Sequence, residues 1–159
     1  MINRLINQLA KPGTLILLLI VGLALRLINI SDGLWLDEIW SMQSSAPGNS
    51  FEQIIAYCKR DTHPPLFDLL LNLFLKLFGD THYHGRVLAL IFGIAGIALT
   101  WYYAGKISEN RLVKFAAAAL VCLSFFHIYY SGGGRFYSFL YLLSLLCISE
   151  LYLYISRKN

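Results

Sequence analysis

The sequence predicts an all-α integral membrane protein with four transmembrane helices, and with amphipathic interfacial helices in a long first external loop. Hydrophobic residues make up 57% of the 159 residues and charged residues only 14%, with a mean hydropathy of +0.59. The apolar residues occur in long runs that lack the polar side of an amphipathic surface helix. The basic residues lie mostly between these runs, which is typical of membrane topology.

Four apolar runs are long enough to cross a hydrocarbon layer of about 30 Å at about 1.5 Å per residue. They cover residues 14–30, 87–105, 115–130 and 136–155. No small-residue cleavage site follows the first run, so we interpret it as an uncleaved helix rather than a signal peptide. We treat residues 1–159 as a single membrane module.

The apolar stretch 66–78 decides between four and five spans. Asp68, Asn72 and Lys76 recur every four residues in it and form one polar stripe. A short striped helix entered through Pro64-Pro65 fits the membrane interface better than a crossing.

Charge placement favours the same choice. With four spans, the basic residues near the span ends share the cytoplasmic side with both termini, as the positive-inside rule requires. They are Arg4, Lys11, Lys106, Arg111, Lys114, Arg157 and Lys158. With five spans, the cluster at 106–114 would be exported. We therefore expect a multi-pass protein of the plasma membrane with cytoplasmic termini.

The predicted external loop runs from residue 31 to 84. Over 34–45, apolar residues from Trp35 to Met42 fall on one side of a helical projection, and acids and serines fall on the other. This pattern predicts a second interfacial helix, with tryptophan at the level of the lipid headgroups. A further short helix begins at Phe51.

Composition and motifs exclude several other classes of protein. The net charge of +4 is explained by topology, so we expect no nucleic-acid partner. The cysteines, Cys58, Cys122 and Cys147, have no C-x-x-C spacing, and no disulfide or zinc site is predicted. The chain has no Rossmann fingerprint and no P-loop.

The adjacent acids Asp37 and Glu38 allow two interpretations. Acidic side chains in the first turn of a helix are favoured by its dipole and often do no more than cap it. The same dipole keeps a carboxylate ionised, as a general base at a membrane surface requires. From the residues alone, both interpretations stay open.

Two arginines occupy unfavourable positions. Arg86 and Arg135 stand at the external N-terminal ends of predicted spans, where the topology rule and the helix dipole both disfavour a cation, so an anion is expected near them. Arg26, at the other end of its helix, is explained by snorkelling to the interface. Residues 131–134, Ser-Gly-Gly-Gly, precede Arg135 and could offer backbone N–H groups to a phosphate.

Four segments in order carry a family resemblance: Trp35-Leu36-Asp37-Glu38, Asp61-Thr62-His63-Pro64-Pro65-Leu66, the stretch 75–80 leading to Arg86, and 127–131 followed by Arg135-Phe136-Tyr137. They resemble the N-terminal module of the GT-C type glycosyltransferases that use polyprenyl-phosphate sugars. This group includes glycosyltransferase family 39, with its protein O-mannosyltransferases, the aminoarabinose transferases of lipid A and the Rgt-type enzymes.

The resemblance implies a role for each motif. Asp37 resembles the catalytic base, with Glu38 beside it. His63, Arg86 and Arg135 resemble ligands of the donor phosphate. Tyr137, Lys59 and Arg60 adjoin these motifs and are candidate contacts for sugar or lipid.

The implied reaction is transfer of a sugar, with inversion, from a polyprenyl-phosphate donor to a hydroxyl of a glycan, lipid or protein on the extracytoplasmic face. No cofactor beyond the donor is required by the resemblance, and a divalent metal ion is left open. The alternative is a non-catalytic truncated copy or small subunit that keeps the fold and assembles with further membrane subunits. The short chain favours that alternative.

Overall fold

The computed structural model describes residues 11–28, 30–61 and 63–158. Arg4, Asn29 and Thr62, which entered the predictions above, lie outside the described residues, as does the side chain of His82. The described residues form helices and connecting turns without a β-strand among them. In chain order the helices are α1 (Pro12–Leu27), α2 (Leu36–Ser44), α3 (Phe51–Arg60), α4 (Leu66–Phe78), α5 (His82–Ile107), α6 (Arg111–Leu123), α7 (Phe125–Gly132) and α8 (Tyr137–Ser156).

Two helices of the described chain are long and apolar enough to cross a membrane, α8 and the part of α5 from Tyr83 to Ile107. A third crossing results if α6 and α7, which are bent by 53°, form one span. Helix α1 is apolar but has only 16 residues, about 24 Å at about 1.5 Å per residue. The structure thus has two or three candidate spans, and the count of four stays a prediction.

Residues 115–130, predicted as one span, belong to two helices that meet at Ser124. Ser124 has an extended backbone with φ −61° and ψ 120°. Its hydroxyl oxygen accepts the N–H of His127 at 3.4 Å and caps α7. A serine side chain that competes for backbone hydrogen bonds favours a helix end over a helix interior. The bend therefore follows from one residue in an otherwise apolar run.

Helix α4 begins and ends at the predicted residues. Pro65 occupies the cap before its first turn, and Gly79, with φ 109°, ends it in a conformation that side chains disfavour. The N–H of Gly79 donates to the carbonyl of Leu75 at 2.9 Å. Helices α2 and α3 are also present in the predicted loop, whereas the position of these helices in the membrane interface stays a prediction.

The polar stripe of α4 faces α2. Asp68 and Asn72 are buried, and only Lys76 is exposed. The Asn72 side-chain amide donates to the carbonyls of Ser45 and Ala46 at 3.2 and 2.8 Å. Asp68 and Asn72 thus join α4 to α2 and its C-terminal end, whereas Lys76 faces outward.

Helix α2 has the predicted two-sided pattern, with its polar side inward. Glu38, Ser41 and Ser44 are buried, whereas Leu36 and Ile39 are exposed. Apolar side chains displayed together on a surface helix mark a face that contacts lipid or another apolar partner.

Two apolar clusters hold the helices together. The first consists of Phe67, Leu71, Leu75 and Leu88, and joins α4 to α5. The second consists of Ile97, Trp101, Ala118 and Cys122, and joins α5 to α6, with side chains of α1 packed against it. The first cluster lies beside the start of α5, where Arg86 stands.

Candidate active site

The two adjacent acids of α2 have different surroundings. Glu38 is 0% exposed, and Arg86 donates to both of its carboxylate oxygens, at 2.9 Å from Nε and 2.7 Å from Nη2. The backbone N–H groups of Gly134 and Trp35 donate to the same carboxylate at 2.6 and 3.2 Å. Glu38 therefore joins α2 to the start of α5 and to the segment before α8.

The charge of Glu38 is stabilised in place. Burial alone raises the pKa of its carboxyl group, but the hydrogen bonds from Arg86, Gly134 and Trp35 outweigh burial and lower the pKa below the ordinary value. Glu38 is accordingly ionised near neutral pH. A carboxylate paired on both oxygens and shielded from solvent is poorly placed to accept a proton from a substrate.

Arg86 is saturated by the protein itself. Besides Glu38, it donates to the carbonyls of Ile30, Asp32 and Gly33, at 3.0, 2.7 and 3.0 Å. A guanidinium group has five N–H donors, and these contacts use all of them. The geometry favours Arg86 as a clamp on the turn that follows α1 over Arg86 as a ligand of a phosphate.

Asp37 differs from its neighbour because its carboxylate is partly exposed and has no hydrogen-bond partner among the described residues. Its backbone carbonyl accepts a hydrogen bond from Arg135 Nη1 at 3.2 Å. Arg135 Nη1 also donates to the hydroxyl of Ser41 at 2.9 Å. The segment before α8 thus holds the first turn of α2 in place and leaves the Asp37 carboxylate available.

His63 lies between two carboxylates. Its Nε2 is 2.7 Å from Asp68 Oδ2, and its Nδ1 is 2.8 Å from Asp61 Oδ2, although the second contact lacks hydrogen-bond alignment. The His63 side chain is 3% exposed, and its imidazole stacks on Phe136 with ring centres 5.1 Å apart. Asp61 also lies 3.6 Å from Arg135 Nη2.

A cavity of about 240 Å³ opens beside these residues. It is lined from α1, α2, α5, α7 and the segment that leads into α8. Its charged lining residues are Arg26, Asp32, Glu38, Arg86 and Arg135, and its aromatic lining includes Trp35, Tyr129, Tyr130 and Tyr137. The arginines give this cavity a positive character.

Two of the lining arginines have unused donors. The buried Nε groups of Arg26 and Arg135 have no hydrogen-bond partner among the described residues. Buried N–H groups are nearly always paired with protein, water or a ligand. Both Nε atoms are enclosed by protein, so the guanidinium charges of Arg26 and Arg135 at the cavity wall, rather than these two donors, favour an anion in the cavity.

A second cavity of about 440 Å³ shares Tyr130 and Tyr137 with the first. Its lining is mostly apolar and comes from α6, α7 and α8, including Leu120, Val121 and Phe126. The two cavities together place a basic compartment next to an apolar one.

Some of the predicted site residues line the basic cavity, and others do not. Glu38, Arg86, Arg135 and Tyr137 line the basic cavity. Asp37 and His63 are not among its described lining residues. The Asp37 carbonyl nevertheless accepts a hydrogen bond from Arg135, and His63 contacts Asp61, which lies 3.6 Å from Arg135 Nη2. Lys59 and Arg60 are exposed on α3 and do not line it either.

Arg26 was missed by the sequence reasoning, which explained it by snorkelling. That explanation is wrong, because the side chain is 2% exposed and hydrogen-bonds inside the protein. Arg26 donates to the carbonyls of Gly22 and Cys122, at 2.8 and 3.3 Å, and to His127 Nδ1 at 2.7 Å. The sequence offered one hint of a buried partner for Arg26, the polar residue His127 in a distant apolar run, but nothing in the sequence pairs the two residues.

These features define an all-helical membrane protein with an arginine-lined cavity beside a partly exposed aspartate. A family model described as dolichyl-phosphate-mannose-protein mannosyltransferase matches residues 62–159, more than half of the chain. The chain belongs to this family, whose members are membrane glycosyltransferases of the GT-C type. The match includes His63, Arg86 and Arg135, and Asp37 and Glu38 precede it. None of the curated proteins and none of the solved structures gives a significant match.

Proposed function

We propose that the chain is a glycosyltransferase module that transfers a sugar from a polyprenyl-phosphate donor to an acceptor hydroxyl on the extracytoplasmic face of the membrane. The observation that carries this proposal is the cavity lined by Arg26, Arg86 and Arg135, bounded by the turn of α2 that displays Asp37. Membership of the family supports the reaction class.

The donor phosphate binds in the basic cavity, and Arg135 and Arg26 are its principal partners. Arg135 lines the cavity, and a charged donor binds a phosphate oxygen more strongly than a neutral one. The adjoining apolar cavity suits the first isoprenoid units, because a polyprenyl phosphate is polar at one end only. The tyrosines between the cavities, Tyr130 and Tyr137, then lie near the sugar.

Asp37 acts as the general base. Its carboxylate takes the proton of the acceptor hydroxyl as that oxygen bonds to the anomeric carbon, and the bond from the anomeric carbon to the phosphate oxygen breaks. The electron pair stays on the leaving polyprenyl phosphate, where Arg135 stabilises the growing negative charge. Attack opposite to the leaving phosphate inverts the anomeric centre.

Glu38 and Arg86 position this machinery. Their ion pair fixes α2 against α5, and Gly134 attaches the Arg135 segment to the same carboxylate. Such preorganisation matters because a base must be held close to the proton that it removes.

The same contacts support the four-span topology, with α1 as a short first crossing and with cytoplasmic termini. The end of α1, the start of α5, the end of α7 and the start of α8 all line one cavity. Helix α4 begins near α2 through Asp68 and Ser44, and the helix that follows it returns to α2 through Arg86 and Glu38. A crossing by α4 would separate these pairs, so it lies along one membrane face.

The test is an assay of sugar transfer from polyprenyl-phosphate sugars by membranes that contain the chain. Asp37→Asn removes the base and keeps the shape, and we expect transfer to fall by about 10² to 10⁴-fold. Glu109→Gln, on an exposed residue between α5 and α6, is the matched control and should leave transfer unchanged. Unchanged transfer by Asp37→Asn would refute the assignment of the base. No transfer by the unmutated chain with any donor would favour the non-catalytic alternative.

A further inference from the structure

Three side chains with metal-binding atoms lie close together next to the candidate site. Cys58 of α3, His63 of the connection and Asp68 of α4 are all buried, and their ligand atoms lie within 4.8 Å of one another. They come from three consecutive segments of the chain, which are α3, the connection after it and α4.

Neighbouring polar side chains contact two of the three groups, His63 and Asp68. Asp61 Oδ2 lies 2.8 Å from His63 Nδ1, which leaves Nε2 as the nitrogen that faces the other two residues. The hydroxyls of Ser44 and Ser45 donate to Asp68 Oδ1 at 2.5 and 3.3 Å, and leave Oδ2 on the side of His63. Hydrogen bonds on a ligating carboxylate, such as those that Asp68 accepts from Ser44 and Ser45, are typical of metal sites.

The charges of the cluster also fit a divalent cation. When a metal ion binds, Cys58 gives up its proton, and the resulting thiolate and the two carboxylates carry three negative charges against one positive charge on nearby Arg135. A divalent cation balances the remaining two. The mixed sulfur, nitrogen and oxygen ligands suit Zn²⁺, whereas Mg²⁺ and Ca²⁺ prefer oxygen ligands alone.

We propose that Cys58, His63 and Asp68 bind a zinc ion that joins α3, the 61–65 connection and α4. The three protein ligands leave one position of a tetrahedral zinc site for water. His63 Nε2 and Asp68 Oδ2 are now 2.7 Å apart, and tetrahedral ligation at about 2.1 Å requires a separation of about 3.4 Å. The ion takes the place of the proton between these atoms and fixes the loop that presents Asp61 to Arg135. This inference does not depend on the proposed transferase activity.

The alternative is a protonated His63 shared by two carboxylates, and the test separates the two. The purified full-length chain in detergent is incubated with Zn²⁺ or Co²⁺, desalted and analysed for bound metal. We expect about one zinc per chain, and with Co²⁺ a near-ultraviolet thiolate charge-transfer band.

Cys58→Ser should abolish the thiolate band and lower zinc retention at least tenfold, and Asp68→Asn should also lower zinc retention. Cys147→Ser, which replaces an exposed cysteine, is the matched control and should keep both signals. Helical circular dichroism identifies any variant that fails to fold, and Cys58→Ser, the smallest change, then decides. Absence of the thiolate band in the unmutated chain, or equal zinc retention by folded Cys58→Ser, would overturn the proposal.

Discussion

At the residue scale, the two neighbouring acids of α2 have opposite environments although their sequence context is the same. Glu38 is enclosed by Arg86 and two backbone N–H groups, whereas Asp37 keeps its carboxylate available. One helical step of about 100° separates them, so Glu38 faces the protein interior and Asp37 faces the edge of the site. Glu38 is therefore suited to positioning the neighbouring helices, and Asp37 to accepting a proton from a substrate.

Replacement of Glu38 should destabilise the fold. Glu38→Gln leaves the Arg86 charge buried without its partner, and loss of one partner of a buried ion pair costs about 3 to 5 kcal/mol. We expect a markedly lower thermal unfolding midpoint in detergent, with Glu109→Gln as the unaffected control. A midpoint equal to that of the control would contradict the role assigned to the pair.

The lowered pKa of Glu38 also predicts a pH dependence. Its ordinary value is 4.5, and the folded value is lower, so its stabilisation is complete above about pH 4.5 and is lost as the pH falls through the folded pKa. Unfolding midpoints measured between about pH 3 and pH 7 should therefore fall more steeply below pH 4.5 in the unmutated chain than in Glu38→Gln. Parallel curves for the two proteins would show that Glu38 contributes nothing of this kind.

At the scale of elements, close approach between helices depends on small residues. A side chain added at Gly93 of α5 would collide with Ser131 of α7, while Gly13 of α1 has open space around it. This contact holds the end of α7 against α5 and fixes the segment that leads to Arg135.

Gly93→Ala should therefore destabilise the helix packing by about 1 to 3 kcal/mol, as overpacking does. Gly13→Ala should be neutral or stabilising by about 0.4 to 1 kcal/mol, since nothing obstructs the added methyl group and alanine reduces the conformational entropy of the unfolded chain. Thermal unfolding of both variants in the same detergent measures the difference. Equal midpoints would contradict the tight α5–α7 contact.

The elements differ in how far the sequence predicts them. Helix α4 was predicted from Leu66 to Phe78 because of its apolar run, its polar stripe at every fourth residue and the prolines before it, which are all local signals. The break at Ser124 was not predicted, since serine occurs inside many membrane helices and its cap depends on one hydrogen bond. The pairing of Arg26 with His127, and the cluster of Cys58 with Asp68, depend on tertiary packing, which has no local signature.

At the scale of the whole molecule, the proposed four-span topology places α2, α3 and α4 on one membrane face and the α5–α6 turn on the other. If α6 and α7 form one span, the three candidate spans and the short α1 give the four crossings that this arrangement needs. A helix shorter than the bilayer is tolerated by local thinning of the bilayer at modest cost.

Cysteine labelling tests this topology. In a Cys147→Ser background, Gln43→Cys on α2 and Glu109→Cys on the α5–α6 turn are both exposed positions, and the remaining cysteines are buried. A membrane-impermeant reagent added to intact cells should modify position 43 and not position 109, with the background chain as the control. Modification of position 109 from outside would favour five spans.

The central claim is that the basic cavity binds a polyprenyl phosphate, and a binding measurement tests it most directly. Trp35 lines the cavity and provides a fluorescence signal for titration of the purified chain. We predict that polyprenyl phosphate binds and that the matching polyprenol binds at least tenfold more weakly, because hydrogen bonds to a charged group contribute about 1.5 to 3 kcal/mol. Arg135→Gln should lose most of this preference, whereas Arg157→Gln should keep it. Equal affinity of the unmutated chain for the phosphate and the alcohol would contradict the account.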